Sequence, residues 1–292
     1  MKKIIVLTGA TASGKTTTAI KLAKKLKTSI ICADSRIIYK DLDIVSAKPT
    51  LEEQSGIKHH LIDIISPEIE FSAGDFVLKA QEVINSINEE YIIISGGTWF
   101  YIKSLLDEKA LPECPINQEL RDELEKKDNQ LLWEKLKELD FKRAQEIHPN
   151  NKDKVIRSIE MCTFLNSPIS EYQRKDNKTY DASWFMMDLC REELYERINL
   201  RVDLMFELGL ENEWRKNKEK YPTSKIIQNT IGYKEFFELE EGIYKDINEA
   251  KEKIKQHTRN FAKRQLTYFR SNPKIKLIKN EDEIINIIKK GG

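Results

Sequence analysis

The chain has 292 residues, 40% of them hydrophobic and 33% charged, with a formal net charge of +1. This fits a globular protein of one large domain, or a core with a smaller companion, and a helix-rich surface. Cys32, Cys114, Cys162 and Cys190 form no close pair, which excludes a zinc ribbon or a disulfide framework, and no run of about 20 apolar residues offers a membrane span.

Met1-Lys2-Lys3 runs straight into an apolar strand, Ile4 to Leu7, so no signal peptide is expected. Few, reduced thiols suit a cytoplasmic setting. A helix follows with Ala19, Leu22, Ala23 and Leu26 on one face. Ser29 to Ala33 reads as a second strand, about Ala73 to Asn88 as a helix, and Tyr91 to Ser95 as another strand. Continuous apolar strands separated by amphipathic helices predict a parallel sheet covered on both faces. From Pro112 the texture changes. Residues 116–178 are highly charged and strand-poor, with Leu120, Leu124, Leu131, Trp133, Leu136 and Leu139 at helical spacing. We read residues 114–178 as a helical insertion and residues 1–113 with 179–292 as the α/β core. Trp184 to Cys190 returns to the sheet. The next helix, with Leu194, Ile198, Val202, Met205 and Leu208 inward, stops near Gly209.

Gly9-Ala10-Thr11-Ala12-Ser13-Gly14-Lys15-Thr16 fits G-x-x-x-x-G-K-[ST], with a buried strand before it and a helix after it. Glycines let backbone N–H groups converge on phosphate oxygens, and the helix N-terminus adds partial positive charge. Lys15 is expected to hold phosphate oxygens and Thr16 to ligate Mg²⁺. Such a loop could hold ATP for a kinase or a diphosphate that will leave. An NTPase usually carries an acid at the end of a neighbouring strand. Ile93-Ile94-Ser95-Gly96-Gly97 has none, although Asp63 could serve. Asp34 follows the second strand, where a doubly wound sheet turns its strand ends toward the ligand crevice. It could bind Mg²⁺, accept a proton from a nucleophile, or simply close a turn.

At this point the sequence resembles the tRNA dimethylallyltransferases, also called isopentenyltransferases, through nearly its whole length. The resemblance runs through the loop above, Asp34-Ser35-Arg36-Ile37-Ile38-Tyr39, Ala47-Lys48-Pro49, and His59 to Asp63. It continues through Phe71 to Phe76, Gly96-Gly97-Thr98, Ile147 to Asn150, Arg157, Leu194 to Ile198 with Arg201, Gly209-Leu210, Ile231 to Lys234, Thr258-Arg259 and Ala262 to Leu266. It implies a P-loop NTPase-like parallel sheet with an inserted helical domain that clamps the tRNA anticodon arm. The reaction it implies moves a dimethylallyl group from dimethylallyl diphosphate to the amine of the adenosine 3′ of the anticodon. Asp34 would be the general base, Thr98 would support the nucleotide or the base's orientation, and Arg201 would meet the diphosphate. That last role comes from the resemblance alone. Asp34, Ser35, Arg36 and Ile37, and the stretch Asp153, Lys154, Val155, Ile156 and Arg157, would touch tRNA. Ala10, Ile37, Val45-Ser46 and Trp99-Phe100 depart from the usual pattern of Pro, Gln, Gly-Thr and small or aliphatic residues. Those at Ile37 and Trp99 bear on RNA preference more than on chemistry.

Adjacent His59 and His60 on a strand point to opposite faces and so make a poor metal pair. A histidine, Trp99 or Tyr39 could stack on an extruded base, though each aromatic alone more often belongs to a core. Glu193 and Arg197, four apart, read as a surface ion pair. Residues 251–279 carry ten Lys/Arg and one acid, Glu252. Arg259, Lys263 and Arg270 share a stripe suited to phosphate backbone, with Ile254, Phe261, Leu266 and Phe269 facing inward. Rival readings are prenylation of free adenine nucleotides, a small-molecule P-loop kinase, and an RNA-binding module with a gating P-loop. The expected form is a monomer.

Overall fold

The computed structural model describes residues 2–107, 114–172 and 180–290. Two compact units are present: Met1–Asp107 with Lys178–Gly292, and Glu108–Asn177. The boundaries expected after residues 113 and 178 touch residues outside those described.

The first unit is built on a six-stranded sheet: β1 (Lys3–Thr8), β2 (Ile30–Cys32), β3 (His59–His60), β4 (Tyr91–Gly96), β5 (Asp181–Met187) and β6 (Ile275–Ile278). The order is β3-β2-β4-β1-β5-β6, and every pairing is parallel. Parallel strands require crossovers, and the intervening helices supply them. On one face, Ile5 and Leu7 pack with Ala19, Leu22 and Ala23 of the helix Lys15–Leu26 and with Ile278 and Ile284 near the C-terminus. Ile4 and Val6 point the other way and are equally buried, so β1 is covered on both faces. Each such aliphatic side chain contributes about 1.5–3 kcal/mol by leaving water.

A second apolar cluster joins Ile38, Tyr39, Leu42 and Val45 to Trp214, Tyr233 and Phe236. Within it the Glu213 carboxylate accepts from the N–H groups of Asp43, Ile44 and Val45 and from the Tyr233 hydroxyl. One side chain thereby satisfies three successive backbone N–H groups of the loop.

The second unit is helical among its described residues, with helices Gln118–Glu125, Asn129–Leu139, Phe141–Gln145 and Lys152–Leu165 around Leu124, Leu132, Leu136 and Ile159. The Glu160 carboxylate is buried there, accepting from Asn117 N–H and from both Arg121 and Arg157.

Three expectations need correction. Leu208 (61% exposed) and Phe261 (37%) face solvent rather than a core. The basic tract is not one helix: the helix Ile247–Arg270 ends, and β6 then adds an edge strand beside β5 before the helix Glu281–Lys290. β6 alternates only weakly in polarity and carries one lysine, Lys276, with Lys274 just before it, so its strand identity comes from pairing with β5.

Candidate active site

The carboxyl ends of β1, β2 and β4 lie side by side, and each carries one part of the site. After β1 comes the glycine-rich loop. Gly9 takes φ +151° and Gly14 φ +84°, and Ala12 is also left-handed at φ +61°. These angles curl the loop before the helix starting at Lys15. The Ala10 side chain packs against Leu194, Ile198 and Ala262, so only its backbone faces the loop interior. Ser13 is buried, and its Oγ has no partner among the described residues. Thr16 is exposed at the first turn of the helix.

Lys15 Nζ donates to Ala10 O at 3.3 Å. Burial pulls its ammonium down to about 8, against the pull of Asp34 upward, and Arg201 adds to the lowering. Arg201, on the helix Arg191–Glu207, donates to Thr11 Oγ1 at 3.2 Å and to Ser46 O at 3.4 Å. Its guanidinium is likewise held below its ordinary value by burial. Two cations that burial holds below their ordinary values, beside a glycine-rich loop at a helix N-terminus, have the make-up of an anion cradle.

After β2, Asp34 Oδ1 accepts from Arg36 N–H at 2.9 Å and from Ile37 N–H at 3.5 Å. The aspartate therefore does close a turn, while Oδ2 takes no hydrogen bond among the described residues. After β4, Thr98 N–H donates to Ala33 O at 3.1 Å and Thr98 Oγ1 accepts from Ser35 N–H at 3.0 Å. A Cβ at Gly96 would stand 2.0 Å from Ala33 O, so only glycine permits this approach. Thr98 thus fixes the Asp34-Ser35 turn directly. Arg201 meets the loop at Thr11, and the Asp34 carboxylate favours the charged forms of both Lys15 and Arg201.

Other expected residues lie elsewhere. Ile37 turns its side chain onto the core that holds Ile5 and Leu7. Tyr39 is 2% exposed and offers no free face to a base, and Trp99, half-buried, packs against Trp184 and Phe269. His59 Nδ1–H donates to Ile57 O and His60 Nε2 meets Ser29 Oγ. Asp63 pairs with Lys48. In the helical unit, Val155 and Ile156 are buried in its core and present no side chain outward. Asp153 and Lys154 are exposed, and Arg157 is tied to Glu160 and to Cys114 O.

On the helix Ile247–Arg270, Lys263 and Arg270 are exposed and border a groove of about 520 Å³ with Arg191, Leu194 and Tyr195. The Arg191 guanidinium lies over the Tyr195 ring at 5.1 Å. Arg259 is half-buried and donates to Asn199 Oδ1 at 2.6 Å. Lys251 and Lys255 are paired with Asp203.

Two further residues lie near the cradle. Arg197 does pair with Glu193 at 2.7 Å, yet its Nη1 would lie 3.4 Å from a Cβ on Gly14. Gln265 bonds both Thr11 and Gly97. Its only sequence signal was membership of the stretch Ala262 to Leu266.

Comparison with known proteins gives this geometry a family. The model of the family described as IPP transferase matches residues 37–272. A tRNA dimethylallyltransferase of Acetivibrio thermocellus is 43% identical, over 97% of this chain and 93% of its own. That of Clostridioides difficile is 41% identical, over 92% and 90%. The crystal structure of the tRNA isopentenylpyrophosphate transferase of Bacillus halodurans is similar with TM-score 0.73 and 35% identity, over 99% of this chain and 96% of that one. A eukaryotic dimethylallyltransferase acting on tRNA gives TM-score 0.79 and 28% identity, over 92% and 70%. A parallel α/β sheet with a P-loop, a match spanning most of the sequence and relatives above 40% identity agree: this chain belongs to the IPP transferase family, together with the tRNA dimethylallyltransferases.

Proposed function

We propose that the protein transfers a dimethylallyl group from dimethylallyl diphosphate to the N6 amine of the adenosine 3′-adjacent to the anticodon in tRNA. The observation that carries this reading is that the loop after β1 holds Lys15 and receives Arg201 at Thr11 Oγ1, while Asp34 after β2, with an oxygen that takes no hydrogen bond among the described residues, favours the charged form of both cations. An exocyclic amine is a poor nucleophile because its lone pair is delocalised, and a diphosphate leaves only where its developing charge is stabilised. Lys15, Arg201 and the amides of the loop Gly9 to Thr16, apart from that of Thr11, which goes to Gln265, supply that stabilisation in a crevice where each interaction is stronger than in water. The unpartnered Ser13 hydroxyl is satisfied by a phosphate oxygen in the same cradle.

Asp34 Oδ2 takes the amine proton as the C–N bond forms, while Oδ1 stays fixed in its turn and Thr98 holds that turn in place. The donor set also fits Mg²⁺, which takes few protein ligands and keeps phosphate oxygens and waters. The exposed Thr16 hydroxyl would hold it, and the ion would neutralise charge on the leaving diphosphate.

We assign RNA phosphate contacts to Lys263 and Arg270, with a smaller share to Arg259, whose guanidinium is partly engaged. Asp34 to Arg36 and the exposed Asp153 and Lys154 are assigned to the same substrate. The helical unit is read as an RNA-contacting domain for the anticodon arm. None of the described helices is long and apolar enough to cross a membrane; action on tRNA suits a cytoplasmic location.

The test is to incubate the protein with Mg²⁺, dimethylallyl diphosphate and unmodified tRNA, or with AMP in parallel, and to weigh the adenosine products. A prenyl adduct in tRNA alone supports the reading. An adduct on AMP alone moves the enzyme to free nucleotides, and ATP hydrolysis without an adduct moves it to a kinase or NTPase.

A further inference from the structure

Gln265 is 5% exposed on the helix Ile247–Arg270, and its amide bonds two other segments. Its Oε1 accepts from Thr11 N–H at 2.9 Å, and its Nε2 donates to Gly97 O at 2.9 Å. A Cβ at Gly97 would lie 2.3 Å from Nε2, so this clamp requires glycine at that position. A residue needed only to fill a core has no use for an amide there. A primary amide is the short uncharged group that donates and accepts at once, and burial makes either unmade bond costly.

We propose that Gln265 is a positioning residue for the transfer step: it holds the phosphate cradle and the turn that supports Asp34 in one register. The proposal rests on reading this site as a prenyl-transfer site. On the leaving-group side, Thr11 gives its N–H to Gln265 while its hydroxyl accepts from Arg201, so Thr11 is a strut and its amide is not a phosphate donor. On the nucleophile side, Gly97 leads into Thr98, which bonds Ala33 O and Ser35 N–H beside Asp34. One side chain therefore spans the two halves of the reaction. Transfer rates depend on that span, because reacting atoms must be held within roughly 3–3.5 Å with aligned orbitals. Lys263 and Arg270 sit on the same helix, close in sequence to Gln265, so the clamp is carried by the element assigned to RNA phosphates.

The test uses the full chain carrying Gln265→Met, which keeps length and volume but neither hydrogen bond, and Gly97→Ala, whose Cβ displaces the amide. We would measure the single-turnover rate to an anticodon stem-loop RNA at saturating substrates, the affinities for that RNA and for inorganic pyrophosphate, and the thermal midpoint. Gln265→Met is expected to slow transfer about 10–100-fold and to weaken pyrophosphate binding about fivefold, with RNA affinity within about twofold. Gly97→Ala should reproduce this pattern, and the double variant should cost little more than either single change. A rate within about twofold of the parent well below the midpoints, or fully multiplicative effects in the double variant, overturns the proposal. If the parent protein prenylates neither RNA nor nucleotide, the transfer reading is what fails, and pyrophosphate affinity decides the clamp: weakened binding in Gln265→Met upholds it, and unchanged binding overturns it.

Discussion

Lys15→Met tests whether the cradle is held against the fold's own preference. Burial lowers the Lys15 ammonium from the ordinary lysine value to about 8. At roughly 1.4 kcal/mol per tenfold change in proton affinity, keeping it charged in the empty cradle costs about 3 kcal/mol. Methionine removes that cost but also the bond to Ala10 O, worth about 1 kcal/mol. The ligand-free variant is therefore expected to be more stable than the parent by about 2 kcal/mol at pH 7, a midpoint higher by roughly 4–8 °C. A lysine that binds its proton more weakly folded than unfolded destabilises the fold wherever it is charged. The penalty is full below about 8 and fades as pH rises toward the unfolded lysine value. The gain from methionine should accordingly vanish by about pH 9.5. Calorimetry in phosphate-free buffer at both pH values reads the effect, and titration with pyrophosphate should show binding lost. A variant less stable than the parent at pH 7, or a gain that does not change with pH, would refute the reasoning.

Asp34→Asn should retain RNA binding and lower turnover about 10²–10⁴-fold, read by the mass of prenylated adenosine; unchanged turnover removes Asp34 as the base. Neutralising Arg259, Lys263 and Arg270 to glutamine should weaken RNA binding and lower the slope of log affinity against log salt by about 0.7–0.9 for each lost phosphate contact. Pyrophosphate affinity should not move, and an unchanged salt slope would return these side chains to the solvated surface. Glu160→Leu leaves Arg121 and Arg157 facing an apolar side chain and should destabilise the helical unit by about 3–5 kcal/mol. Limited proteolysis should then cut that unit first; equal resistance in variant and parent would show the carboxylate to be dispensable.

Local pattern decided a good deal. The apolar runs at Ile4, Ile30 and Tyr91 became β1, β2 and β4, because a strand buried on both faces must be apolar throughout. The loop Gly9 to Thr16 was legible because its spacing encodes a backbone shape. Asp34 was legible because a residue after a parallel strand faces the crevice. The rest depended on chain segments far apart in sequence. Thr11 meets Gln265 across 254 positions and Arg201 across 190, and no periodicity reports such a meeting. Leu131 and Leu208 carried the right spacing but face water, and Val155 and Ile156 sit inside the helical unit rather than on its surface. Spacing defines which residues share a side of a helix, but whether that side is covered depends on what the tertiary fold packs against it. β6 makes the same point for strands: a short, lysine-bearing segment has little propensity of its own and becomes a strand because β5 offers a row of unpaired hydrogen-bonding groups.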